Sequence, residues 1–339
     1  MTGTVTWAEL QSQPAAWEGL IGRLESGELA LPFAPDTYQE FLLLGSGTSY
    51  YLARAVADWM ARRGFDARAV ASCEVMLDPY QTRPSPAQRL AIGFSRSGQS
   101  SELLLANERL KAAGFDLLGI GCTAGSALLQ QVDHSLLVDE GREDGLVMLR
   151  SFTSMLIASQ WVFGTQEDRA NLSALPTAGR EMLALGPRLQ ALATARPYDR
   201  FVFLGSGAQH PLTQEAGLKI QEMAVATSEA YFSLDYRHGP KACANAETMV
   251  TLFTLSDRAQ GLALARDVCA LGAGLIVIGP DAAAYGEHAT CTIVPSGMPD
   301  AEAAAAAMMV PIQLFAYHTA LRRSVDPDSP VNLSRVVVL

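Results

Sequence analysis

The feature that most constrains this chain is an internal duplication. Phe41-Leu42-Leu43-Leu44-Gly45-Ser46-Gly47 returns 160 residues later as Phe201-Val202-Phe203-Leu204-Gly205-Ser206-Gly207. Each copy is a short apolar run that ends in a Gly-rich turn and passes into a helical pattern. That is the signature of a buried parallel strand feeding a helix start. The echo continues. Ala91-Ile92-Gly93-Phe94-Ser95 is matched by Thr251-Leu252-Phe253-Thr254-Leu255-Ser256, and Leu117-Leu118-Gly119-Ile120-Gly121 by Leu275-Ile276-Val277-Ile278-Gly279. Strands alternating with long helical segments predict an α/β fold with two parallel sheets, each flanked by helices on both faces. The expected organisation is a helical lead-in over residues 1–40, with Trp17, Leu20, Ile21 and Leu24 on one face. A first α/β domain over 41–163, a helical connector over 164–198 and a second α/β domain over 199–339 follow.

Two domains suit the 339 residues, of which 49% are hydrophobic and 18% charged. The net charge of −10, with no run of Lys or Arg, excludes a basic nucleic-acid grip. The five cysteines are scattered, with no Cys-x-x-Cys pair, which argues against a zinc site or a disulfide framework and fits a reducing, cytoplasmic setting. The N-terminal residues lack a basic segment followed by an apolar core, so no signal peptide is expected. The most apolar stretch, residues 301–321, carries Glu302, Pro311, Gln313 and His318 and reads as a buried helix, not a membrane span.

Gly45-Ser46-Gly47-Thr48-Ser49-Tyr50 has two of the three glycines of a dinucleotide fingerprint, and Tyr50 stands where the third should let helix and strand pack closely. Its hydroxyls fit another role. Thr48 and Ser49 fall at a helix N-terminus, where unpaired N–H groups and the helix dipole favour an anion. Ser95-Arg96-Ser97-Gly98-Gln99-Ser100 repeats the arrangement after the next strand. Such turns can wrap a phosphate with hydroxyl and backbone donors, without metal or cofactor. Ser and Thr are also ordinary caps, but two such turns in one half favour the phosphate reading. The matching loop of the second half, Ser256-Asp257-Arg258-Ala259-Gln260, lacks the hydroxyl cluster, so a single phosphate site is expected in the first half.

Glu215, Lys219 and Glu222 fall at i, i+4 and i+7, on one face of a predicted helix. Downstream, Tyr236-Arg237-His238-Gly239-Pro240 puts a histidine in a turn. The residues alone leave His238 open between a structural role and proton transfer. A carboxylate base, an acid–base histidine and a cation that stabilises an enediolate are what moving a proton between adjacent carbons of an open-chain sugar requires.

These segments, together with Arg150-Ser151-Phe152-Thr153 and the opening Trp7-Ala8-Glu9-Leu10-Gln11-Ser12-Gln13-Pro14, resemble the double-domain sugar isomerase (SIS) family. The resemblance runs nearly the full length and is closest to the isomerase half of glucosamine-6-phosphate synthase, to amino sugar phosphate deaminases and to sugar-amine deglycases. It implies two tandem SIS domains and a sugar phosphate substrate. It carries phosphate and sugar contacts onto Gly47, Thr48, Ser49, Ser95, Arg96, Ser97 and Ser100. Glu222 takes the place of the proton-shuttling carboxylate, with Glu215 and Lys219 in support. His238 matches a ring-opening histidine that relatives contribute from the partner subunit, which implies a homodimer with a shared active site. Two departures bear on the reaction. The chain opens directly on the SIS-like region without a cysteine nucleophile, so glutamine-dependent synthesis is not expected. Arg335 stands where the synthase tail has an imine-forming lysine; a guanidinium stays protonated and is no nucleophile, which favours an electrostatic role there and a deaminase reaction. A deglycase and a non-catalytic sugar phosphate sensor are the alternatives.

Overall fold

A computed structural model of the protein describes residues 2–337. The chain opens with α1 (Thr4–Gln11) and α2 (Gln13–Glu25). It then alternates through β1 (Glu40–Gly45), α3 (Thr48–Ala61), β2 (Ala67–Ala71), α4 (Ser72–Leu77), β3 (Arg89–Ser95), α5 (Ser101–Ala112), β4 (Asp116–Gly121), α6 (Ala127–Gln131) and β5 (His134–Leu137). Four helices follow: α7 (Arg150–Phe163), α8 (Gln166–Leu172), α9 (Leu175–Leu183) and α10 (Gly186–Ala195). The alternation resumes with β6 (Arg200–Gly205), α11 (His210–Ala224), β7 (Thr227–Phe232), β8 (Thr248–Phe253), α12 (Arg258–Ala270), β9 (Gly274–Ile278) and β10 (Cys291–Ile293), and α13 (Ala305–Arg322) closes it.

The strands form two five-stranded parallel sheets, ordered β2-β1-β3-β4-β5 and β7-β6-β8-β9-β10. Strand for strand the two orders are the same, so the repeated motif marks a repeated topology. The central strands are buried on both faces, which is why they read as unbroken apolar runs and not as an alternation. The chain divides into two compact units. One comprises Ala15–Ser173 and the residues from Ser334 onward; the other comprises the residues up to Pro14 and Ala174–Leu333. The helical lead-in and the helices within 164–198 are thus each shared out between the units.

In the unit of the β1–β5 sheet, Trp17, Leu20, Ile21 and Leu24 of α2 are all buried, and the Trp17 indole N–H donates to Thr153 Oγ1 at 3.0 Å. The start of α8 is fixed by a capping box between Thr165 and Asp168, and Asp168 also receives the Arg63 guanidinium. Burial alone would raise the Asp168 carboxyl, but the hydrogen bonds from Arg63 and Thr165 outweigh it and hold the group down at about 2, against an ordinary 3.8. A carboxyl depressed in the folded state stabilises it above its unfolded pKa and loses that contribution as pH falls through the folded one. Between pH 4 and 2 the protein is therefore expected to lose stability in part through Asp168. Urea unfolding at stepped pH checks this: Asp168→Asn should flatten the acid limb, and an unchanged limb would refute the assignment.

In the other unit, α13 is buried almost throughout, with Gln313 paired to the Gln13 amide at 2.7 Å. Gln313, one of the polar residues that broke the apolar stretch in sequence, thus has a partner inside the fold. Among the described residues no helix is long and apolar enough to cross a membrane. Helix α1 has Gly3 at its N-cap and no side-chain cap of its own. Its first amides are taken by the far end of the chain: Gly3 N–H donates to Asp326 Oδ1 at 2.9 Å, and the Val5 and Thr6 N–H groups donate to the Asp328 carboxylate at 3.0 and 2.8 Å.

Candidate active site

The two hydroxyl-bearing turns follow neighbouring strands, β1 and β3, which pair in register from Glu40↔Arg89 to Leu44↔Gly93. In the first turn, a Cβ on Gly45 would lie 2.3 Å from the Ser49 carbonyl, so only glycine allows α3 to start against the strand end. Thr48 and Ser49 form the first turn of α3 and are buried, and the helix has Gly47 at its N-cap, with no side-chain cap. In the second turn, Ser95 Oγ accepts the Gly98 N–H at 3.0 Å and Ser97 Oγ accepts the Gln99 N–H at 3.2 Å. Each hydroxyl acts as an acceptor within the loop, so its one hydrogen stays available to an anion. Gly98 adopts φ +64°, and a Cβ there would strike the Ser126 hydroxyl at 2.2 Å. Helix α5 begins with Ser100 at its N-cap, again without a side-chain cap bond.

Helix α12 in the other unit is the physical contrast. Its N-cap Asp257 accepts the Gln260 N–H through the side chain at 3.1 Å. A carboxylate already fills that anion position, whereas no side-chain cap occupies the starts of α3 and α5.

Arg96 lies between Ser95 and Ser97, yet its guanidinium is buried and directed into its own unit. It donates to the carbonyls of Gly145 at 3.1 Å, Leu146 at 3.0 Å and Arg335 at 3.2 Å, and stands 3.7 Å from the Glu143 carboxylate. Glu143 is itself buried and accepts from Leu149 N at 2.7 Å, Ser151 N at 3.1 Å and Ser151 Oγ at 2.5 Å, which organises the start of α7. The exposed Arg335 side chain donates to the Glu143 carbonyl. Arg335 thus stands in the unit of the serine turns. Glu143 had no signal in the sequence: a lone Glu before Asp-Gly looks like a solvated turn.

Helix α11 carries the face on which Glu215, Lys219 and Glu222 meet. Glu215 and Lys219 are fully buried, and the ammonium lies 3.2 Å from Glu215 and 2.5 Å from Glu222, whose side chain keeps 17% of its exposure. Burial alone would lower the Lys219 pKa, but the two carboxylates raise it above the ordinary value. The amine is therefore held as a cation, unsuited to nucleophilic attack and suited to keeping a carboxylate charged. His238 is exposed, at the end of the Asp235–Arg237 turn, where its N–H donates to the Asp235 carbonyl at 2.8 Å. Gly239 after it adopts φ +131°, and Arg237 anchors the turn to Asp267 of α12 at 3.0 Å. Among the described residues no three His, Cys, Asp or Glu side chains gather into a metal-holding group.

Residues 39–163, which span the β1–β5 sheet and both serine turns, match the family model for the SIS domain. The chain is homologous to glutamine–fructose-6-phosphate aminotransferase [isomerizing]. It is 28% identical over 360 residues to the proteins from Pectobacterium atrosepticum and Escherichia coli K12, with 98% of this chain aligned. It spans 58% of those relatives' length. Among solved structures, glucosamine-6-phosphate deaminase from Thermotoga maritima superposes with a TM-score of 0.83 at 28% identity, covering 99% of this chain and 100% of the other. Tagatose-6-phosphate ketose/aldose isomerase from Escherichia coli shares the fold, with a TM-score of 0.86 at 24% identity over 97% of this chain and 95% of its own.

Proposed function

We propose that the protein is a double-SIS enzyme that isomerises and deaminates an amino sugar 6-phosphate. The observation that carries this reading is the charged ladder on α11, in which a buried ammonium holds the partly exposed Glu222 at 2.5 Å. An ionised carboxylate kept in place by a fixed cation is a base ready to accept a proton from carbon. In the proposed reaction His238 assists ring opening. Glu222 takes the proton from C2 of the open-chain amino aldose and returns it to C1, while the amine gives up one hydrogen and O1 gains one. The ketimine so formed is hydrolysed by water to a ketose 6-phosphate and ammonia. Lys219 stabilises the negative charge that develops during the proton shift. Thr48, Ser49, Ser95, Ser97 and Ser100 hold the phosphate, with the Gly47 turn opening the helix start. Arg96 and Arg335 shape this unit through backbone carbonyls. The deaminase from Thermotoga maritima, alignable over its whole length, supports the amino sugar as substrate.

Incubation with glucosamine 6-phosphate and galactosamine 6-phosphate should release ammonia from at least one. Tight binding without ammonia would point instead to a sensor. Ser97→Ala should weaken sugar phosphate binding by about tenfold, the loss of one hydrogen bond to a charged group, with kcat little changed. Calorimetric titration reads this, and an unaltered affinity would remove Ser97 from the phosphate site. The reading includes a cytoplasmic homodimer: exposed Phe232 and Leu234 lie in the segment that leads to His238. Sedimentation showing only monomers would refute that part.

A further inference from the structure

One side-chain bond joins the two hydroxyl-bearing turns. Ser46, in the turn after β1, donates its hydroxyl to Glu102 Oε2 at 2.8 Å, across 56 residues of sequence. Glu102 lies in the first turn of α5, directly after the second serine loop, and both side chains are half-buried. A carboxylate at this place is unexpected beside a phosphate, because like charges repel. The Glu102 carboxylate accepts from a hydroxyl of the other turn, while the Ser100 side chain makes no cap bond at the start of α5. The duplication supplies an internal control. The second half keeps the first hydroxyl, as Ser206, but its loop after β8 has Ser256 alone in place of the serine cluster and leads into α12, whose one acidic residue at the start is the N-cap Asp257, with none in the first turn. A carboxylate in the first turn therefore accompanies the serine cluster, whereas the helix without that cluster carries its carboxylate at the N-cap.

We propose that Glu102 is a positioning residue: by accepting the Ser46 hydroxyl it locks the Gly45–Gly47 turn to the start of α5, so that both turns present their donors to one phosphate group. Two loops from separate chain segments can share a single anion only if their separation is fixed, and this bond fixes it while α5's dipole tolerates the carboxylate in its first turn. The inference rests on the phosphate reading of the serine turns.

The test is a double-mutant cycle on the full chain, with glucosamine 6-phosphate titrated by calorimetry and turnover measured in parallel. Ser46→Ala and Glu102→Ala should each weaken binding by about tenfold, the double variant should be no weaker than either, and kcat at saturation should stay within about twofold. Glu102→Gln, whose amide oxygen can still accept from Ser46, should bind nearly as the wild type does. Thermal unfolding of each variant guards against a general loss of fold. Additive losses, or unchanged affinity in both single variants, would overturn the inference. So would tighter binding in both Glu102 variants, since the carboxylate would then act only as a repelling charge. A wild-type protein that binds no sugar phosphate is a different result: it would overturn the phosphate reading itself.

Discussion

Glu222→Gln is expected to lower kcat by about 10²–10⁴-fold, the usual contribution of a positioned general base, and to leave sugar phosphate affinity close to that of the wild type. The substitution keeps shape and leaves an amide oxygen as an acceptor for Lys219, which retains Glu215 at 3.2 Å. What it removes is the only function proposed for this side chain, taking a proton from carbon. Two readouts separate this from a general disturbance. The dissociation constant should be unchanged, and the variant should cease to exchange the substrate's C2 hydrogen with deuterated water. A kcat within about tenfold of the wild type would remove Glu222 from the base role.

Arg96→Met is expected to destabilise its unit by about 3–5 kcal/mol, the range for breaking one side of a buried ion pair. Its cause is visible in the surroundings. Glu143 is fully buried at 3.7 Å from the guanidinium, and the carbonyls of Gly145, Leu146 and Arg335 lose their donor together. Urea unfolding measures the loss. Adding Glu143→Gln should recover part of it, because the buried negative charge is then gone. A loss below about 1 kcal/mol, as for an exposed ion pair, would show that the network carries little. Were Arg96 a phosphate ligand, the damage would fall on affinity, with the unfolding midpoint little changed.

The parts of the fold that could be read from sequence are those set by local pattern. The strand runs, the glycine turns and the helical spacing of Glu215, Lys219 and Glu222 each depend on residues within one turn or one strand, and the duplication doubled the signal. Arg96 shows where that reading ends. Flanked by Ser95 and Ser97, it looks like one more phosphate contact; its direction is decided by Glu143 and by carbonyls far along the chain. Glu102 is similar, an ordinary first-turn acid until its partner in the preceding loop is known. The expectation that α12 holds no anion rests in sequence on missing hydroxyls, whereas the Asp257 cap at its start needed the backbone geometry.

The capping of α1 by Asp326 and Asp328 sets an order on synthesis. The nascent chain leaves the ribosome with its first helix already made of the right residues but with no partner for its leading amides. Those partners lie 322 to 323 residues further along the chain. The segment from Ala15 to Ser173 can gather its own sheet in the meantime. The first turn of the opening helix therefore stays without these acceptors until Asp326 and Asp328 have been made, and a truncation just short of Asp326 should leave that turn frayed even when the rest has folded.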